Sequence, residues 1–320
     1  MISEQPQVTH VYRNHHMDST RWDGYAPRED DIVISTSIKS GTTWVQTIVR
    51  ELIAHDIDSR DAGQPKQIPL PDNGSSFWVE ATFSRDVGVM HEQLEAQKHR
   101  RFLKSHVPLD GLPYYPQVKY VVIGRDARDV FMSLWNHFSN YEDDFYQKLD
   151  EVSALLSGPC PRCPEDIHSF WEGWINQGWF DWEQEGYPFW GNMHHAQTWW
   201  HYRHLDNVEM FHYDDLLTDT VGEIKRIAEL LGIEISDEAL SAIVEYSSLS
   251  AMRQRKLAAG SHAFLKGGGN TFYNKGTNGR WRGVLSDDEL AMYEKTKSQV
   301  LSLACARWLE QGRKALRPVP

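Results

Sequence analysis

The chain has 320 residues and carries 33 Lys and Arg against 45 Asp and Glu, a formal net charge of −12. That length suits one large α/β domain and is short for two catalytic domains with linkers. An acidic chain disfavours bulk attraction to nucleic acid or anionic membranes, so an anionic ligand must be caught by a local cluster of donors. Thirteen Trp, thirteen Tyr and twelve Phe within 40% hydrophobic residues exclude an intrinsically disordered chain. The three cysteines, at 160, 163 and 305, cannot form a disulfide framework for this size. With no apolar signal segment and no apolar run of membrane-spanning length, the expectation is a cytoplasmic protein without a transmembrane segment.

Taken in chain order, residues 1–30 are polar and read as an arm or cap lying on the surface. The β-branched run Asp31–Thr36 predicts a strand, and the small-residue turn Ser37–Gly41 follows. Trp44, Val45, Ile48, Val49, Leu52 and Ile53 then trace the apolar stripe of a helix. Residues 56–100, with Gly, Pro, Asp and Asn, predict a loop-rich excursion. Phe102-Leu-Lys104-Ser-His106-Val-Pro108 is strand-like and ends in a proline turn. A second strand–helix unit begins at Val118–Gly124, continues through Arg125, and repeats the helical spacing at Val130, Phe131, Leu134, Trp135 and Phe138.

Residues 140–200 have weaker patterning and hold seven tryptophans, at 171, 174, 179, 182, 190, 199 and 200. From its residues this stretch reads equally as local core or as the wall of a ligand pocket. A third unit starts at Val208–Tyr213. Thr220-Val-Gly-Glu223 reads as a capping box, with Gly232 as the stop of the helix it opens. Ser286-Asp-Asp-Glu289 reads as another capping box, and Leu290, Tyr293, Val300, Leu301, Ala304 and Trp308 predict one long closing helix. Alternating strands and helices imply a mostly parallel central sheet with helices on both faces and a ligand at the carboxyl ends of the strands.

Four segments carry chemistry. Ser37-Ile-Lys39-Ser40-Gly41-Thr42-Thr43-Trp44 presents backbone N–H groups, a lysine and hydroxyls at a helix start, which makes an anion cradle, although the loop alone also fits a solvated turn. It lacks the Walker A order, because its lysine precedes the glycine. His106 follows Lys104 where a strand ends, and a lone histidine is otherwise a structural residue. Arg125 ends a buried strand, with Ser133 two helical turns on, a pairing that suits a phosphate monoester or else a core ion pair. Lys275-Gly276-Thr-Asn-Gly279-Arg280-Trp281-Arg282 is a basic, glycine-containing loop. Cys160-Pro-Arg-Cys163 has zinc-knuckle spacing without a second pair, so no metal is expected. His15-His16 and His194-His195 read as packing or solvent contacts.

Together these segments resemble the cytosolic branch of the sulfotransferases that use 3′-phosphoadenosine 5′-phosphosulfate (PAPS). The family pattern Y-P-K-S-G-T-T-W is matched by residues 37–44 with Tyr-Pro replaced, K-T-H-x-P by Lys104–Pro108, R-N-x-x-D-V-x-x-S by Arg125–Ser133, and R-K-G-x-x-G-x-W by Asn274–Trp281. The resemblance implies one P-loop-like sulfotransferase domain over residues 1–320. It implies PAPS as co-substrate, adenosine 3′,5′-bisphosphate (PAP) as product, and no metal.

By the same resemblance Lys39, Ser40, Gly41, Thr42 and Thr43 hold the 5′-phosphosulfate, and Arg125, Ser133, Lys275 and Gly276 hold the 3′-phosphate. Tyr213, Ser247 and Trp44 lie near the nucleotide, and His106 is the general base, with Lys39 and Lys104 the catalytic cations. The implied acceptor is a small hydroxyl or amine compound, apolar or aromatic, and the resemblance favours residues 140–200 as an acceptor-side insertion forming the wall of its pocket. This sequence departs from the family at three places. Leu249 stands where the family has Phe. Asn274 stands where it has an arginine on the 3′-phosphate, leaving Arg280 or Arg282 as replacements. The dimer motif is poorly met at Arg282–Asp287, so either a monomer or a homodimer is expected. The other readings are a P-loop-like kinase or NTPase and a nucleotide-binding module without catalysis.

Overall fold

Four strands give the sheet, and their faces explain their composition. β1 (Ile32–Thr36), β2 (Phe102–Ser105), β3 (Lys119–Gly124) and β4 (Val208–His212) are all parallel, in the order β2-β1-β3-β4. This is a computed structural model, and it describes residues 4–60, 76–84, 86–153, 158–258 and 262–316. Along a strand the side chains alternate between faces. Ile32 and Ile34, Val121 and Ile123, and Phe211 pack on one side with Val45, Ile48, Val49 and Leu52 of α1 (Thr42–Arg60). Ile224 and Ile227, from a helix that follows β4, join them on that side. Val33, Leu103, Tyr120, Val122, Val208 and Met210 face the other side, against Val130, Phe131 and Leu134. Both faces are covered by helices, as the continuous apolar runs predict.

The connections depart from the sequence reading in five places. Within 56–100, where residues 61–75 and 85 lie outside the described residues, α2 (Val87–Ala96) forms. Its N-cap, Asp86, accepts from the backbone N–H groups of Gly88 and Val89. In the second unit, α3 (Ala127–Phe138) follows β3, and α4 (Asp143–Ser153), α5 (Ile167–Asn176) and α6 (Asn192–His201) fill the 140–200 stretch. The tryptophans there are core: Trp171, Trp174, Trp190 and Trp199 are fully buried, and none of the seven reaches the cavity described below. Residues 4–30 are no surface cap, because Tyr12, Met17 and Trp22 are buried in the same core. Asn14 Oδ1 accepts from the His16 and Met17 N–H groups at 2.9 and 3.0 Å, and its amide donates to the Phe189 carbonyl, turning the segment inward.

After β4 come α7 (Tyr213–Thr218) and α8 (Thr220–Leu231), then α9 (Asp237–Ser247), α10 (Leu249–Ala258) and α11 (Gly268–Phe272). The cap of α8 is Asp219, whose carboxylate accepts from the Gly222 N–H, while the Thr220 hydroxyl donates to the Leu216 carbonyl. The expected box at 220–223 therefore does not form: the cap lies one residue earlier, at Asp219, with Gly222 in the third helical position. Gly232 does end α8, with φ 64°. The box at Ser286 and Glu289 forms with both of its hydrogen bonds and opens α12 (Asp287–Val300). The single closing helix is broken instead: Leu301 is extended, and Ser302 caps α13 (Leu303–Gln311) by accepting from Cys305 N–H.

Register decides where the site lies. Ser35 pairs with Ser105, Thr36 with Ile123 and Gly124 with His212. The residues that follow the strands, Ser37, His106, Arg125 and Tyr213, therefore emerge along one sheet edge.

Candidate active site

A cavity of about 690 Å³ opens at that edge. Of the residues singled out from sequence, Lys39, Gly41, Thr42, Thr43 and Trp44 of the first loop line it, with Lys104 and His106 after it. Arg125, Ser133, Tyr213, Lys275 and Gly276 complete that group. Two do not line it. Ser40 is fully buried, with its hydroxyl 2.7 Å from Ser37 Oγ, which Asn192 also contacts, so it locks the turn. Ser247 turns back toward the Val244 carbonyl at 3.5 Å, and its neighbours Ser248 and Leu249 reach the wall instead.

Five cationic side chains, Lys39, Lys104, Arg125, Lys275 and Arg280, line the cavity, and no carboxylate does among the described residues. Lys39 has φ 64°, a costly backbone for a residue with a side chain. Its carbonyl accepts from Arg125 Nη1 at 3.0 Å, which ties the loop to the end of β3. Its ammonium lies 3.5 Å from His137 Nδ1 and 4.6 Å from the centre of the Phe272 ring. Burial, with Arg125 and Lys104 adding like charge, pushes its pKa down to about 7. Lys104 Nζ lies 4.7 Å from the centre of the Trp78 ring, and burial, partly opposed by Glu80, pushes its pKa to about 8.

His106 is held in one tautomer. Its Nδ1 lies 2.8 Å from the Thr36 carbonyl oxygen, which can only accept, so Nδ1 carries the proton and the unprotonated lone pair sits on Nε2. No hydrogen bond engages Nε2 among the described residues. Trp78 meets the ring edge-on at 5.0 Å and Trp190 lies tilted at 5.8 Å. Burial first, then Lys104, lowers the pKa well below the usual imidazole value. Glu80, buried, accepts from the His106 backbone N–H at 2.5 Å, from Trp78 Nε1 at 2.7 Å and from Trp22 Nε1 at 2.9 Å, fixing the frame in which the imidazole sits.

Phe83, Tyr141, Phe145 and Phe264, which the sequence reading did not single out, line the cavity as well. His16, read from sequence as a packing or solvent contact, lines it too. His16 Nε2 lies 3.2 Å from Tyr141 Oη. Trp44 and Tyr213, also on the cavity lining, meet edge-on at 5.7 Å, Arg125 lies 4.1 Å from the Tyr213 ring centre, and the Trp44 indole N–H is buried with no partner among the described residues. Among the described residues no group of three or more metal-ligating side chains occurs. Nor is any helix there long and apolar enough to cross a membrane.

Against known proteins, residues 29–303 match the sulfotransferase domain. The chain is also 32% identical to a glycolipid sulfotransferase of Mycobacterium bovis (strain BCG / Pasteur 1173P2), over 99% of both proteins. The chain belongs to the sulfotransferase family. As a sulfotransferase it shares its α/β fold with solved relatives. Mouse sulfotransferase SULT7A1 complexed with PAP is 20% identical, with 90% of this chain and 89% of that one covered and a TM-score of 0.65. Retinol dehydratase in complex with androsterone and PAP is 21% identical over 90% and 87%, with a TM-score of 0.64.

Proposed function

We propose that the chain moves a sulfonate group from PAPS to a hydroxyl on an uncharged, partly apolar acceptor, with His106 as general base. The observation that carries this reading is the pairing of an unengaged Nε2 lone pair on His106 with a cavity lined by five cations and no carboxylate. The donor set suits a polyanionic nucleotide, and the Trp44 N–H, without a partner among the described residues, would border its base.

PAPS supplies an activated sulfonate, whose release leaves negative charge on the oxygen of the 5′-phosphate. Lys39 meets that charge, and Lys104 fixes donor and acceptor about the sulfur. His106 Nε2 takes the acceptor's proton as the new S–O bond forms and the old one breaks. Arg125, Ser133, Lys275 and Gly276 hold the second phosphate. Thr42 and Thr43, at the start of α1, add N–H groups at the positive end of the helix.

The aromatic wall of Phe83, Tyr141, Phe145 and Phe264 suits a flat or apolar acceptor face, and His16 and Tyr141 add polar contacts for a hydroxylated one. A protonated amine would meet five like charges. The mycobacterial relatives are named glycolipid sulfotransferases, and a sugar hydroxyl carried by a lipid meets both the polar and the apolar demand.

Thermal unfolding with PAP, and separately with ATP plus Mg²⁺, tests the nucleotide class. A rise in Tm with PAP is expected, because a ligand bound only by the folded state stabilises it. Stabilisation by ATP with Mg²⁺ alone would remove the reading and return the kinase one.

A further inference from the structure

Arg125 brings charge to the cavity but few free hydrogens. Its Nε and Nη2 donate to Asn278 Oδ1 at 3.2 and 3.0 Å, Nη2 also donates to the Thr277 carbonyl at 3.4 Å, and Nη1 donates to the Lys39 carbonyl at 3.0 Å. A guanidinium has five N–H groups, so these four bonds leave one for a ligand. Two parallel bonds to one phosphate, the strong arrangement for arginine, are beyond it as placed. Asn274, at the start of the same loop, lines the cavity with an uncharged amide.

Arg280 has what Arg125 lacks. Asp129 Oδ1 accepts from the Gly279 and Arg280 backbone N–H groups at 2.7 and 3.3 Å, so the loop is pinned beneath the residue. The Arg280 side chain lines the same cavity, close enough to Arg125 for the two charges to oppose each other. Among the described residues no hydrogen bond or ion pair engages its guanidinium, so all five N–H groups are available. Arg282 is placed otherwise: its guanidinium lies 4.5 Å from the Trp281 ring centre and outside the cavity wall.

We propose that Arg280 is the residue by which this chain selects a nucleotide bearing a 3′-phosphate over one without it, taking the direct hydrogen bonds while Arg125 supplies mainly charge and loop anchoring. The inference rests on the nucleotide reading above. Binding of PAP and of adenosine 5′-monophosphate to the full chain, and to its Arg280→Ala and Arg282→Ala variants, tests it by calorimetry.

The wild type is expected to prefer PAP. Arg280→Ala should weaken PAP by about 10- to 100-fold, the value of lost hydrogen bonds to a charged group, and leave the monophosphate unchanged. Arg282→Ala should change neither. If Arg280→Ala keeps the wild-type preference, or weakens both nucleotides equally, Arg280 does not read the 3′-phosphate while the nucleotide reading survives. A wild type with no preference for PAP would overturn both.

Discussion

An imidazole can serve as a base for a hydroxyl only when it is unprotonated and its lone pair is free, and at position 106 burial favours the neutral ring while the Thr36 carbonyl holds the proton on Nδ1 and leaves Nε2 unengaged. His106→Ala should lower kcat by about 10² to 10⁴, the usual worth of a general base, while PAP affinity by calorimetry stays within a few-fold of wild type. Collapse of PAP binding in that variant would make His106 a structural residue. The lysines give a second prediction. With pKa values near 7 and 8 in the ligand-free site, Lys39 and Lys104 lose protons as pH rises from 7 to 9, and a bound anion must draw them back. Binding therefore takes up protons, and the logarithm of PAP affinity should fall with pH, by up to about one per unit for each lysine. An affinity flat across that range would contradict the placement of these ammonium groups against the anion.

The secondary elements show what the sequence made legible and what it hid. Strands β1 and β3 and the helices after them were readable because a covered parallel strand is a continuous apolar run and its helix keeps a clear stripe. Lys39, His106, Arg125 and Lys275 could be singled out because four motifs in the order of a known family carry them, and the structure brings all four to one cavity. The capping box at Ser286 was readable from local spacing, whereas Asp219 outcompeted Thr220 for the cap of α8. The break at Ser302 was hidden, since apolar spacing continues across it and only a cap distinguishes two helices from one. His16, Phe83, Tyr141 and Phe145 were unreadable as site residues because they meet only through tertiary packing, and the tryptophan-rich stretch looked like a wall because a core and a pocket share composition.

One close approach at this scale is testable: a Cβ on Gly124, the last residue of β3, would lie 2.3 Å from Trp308 Cη2 of α13. Gly124→Ala should therefore cost about 1–3 kcal/mol, the usual penalty of overpacking, seen as a lower midpoint in denaturant unfolding. An unchanged midpoint would mean that α13 does not press on the strand end that carries Arg125.

At the scale of the whole molecule, an acidic chain, net −12, concentrates cations in one cavity. Bulk electrostatics repel a polyanionic nucleotide while the site attracts it, so recognition depends on desolvated local donors rather than on net charge. On the proposed reading the same field should favour neutral hydroxyl acceptors over protonated amines of similar shape.

The most direct test is transfer of ³⁵S-labelled sulfonate from PAPS to a neutral glycolipid, with an amine-bearing analogue lacking free hydroxyls alongside and no added metal. The wild-type chain should label the glycolipid hydroxyl and release one PAP per product, label the amine far less, and lose transfer on His106→Ala. No labelled glycolipid, or equal labelling by the His106→Ala variant, would contradict the account.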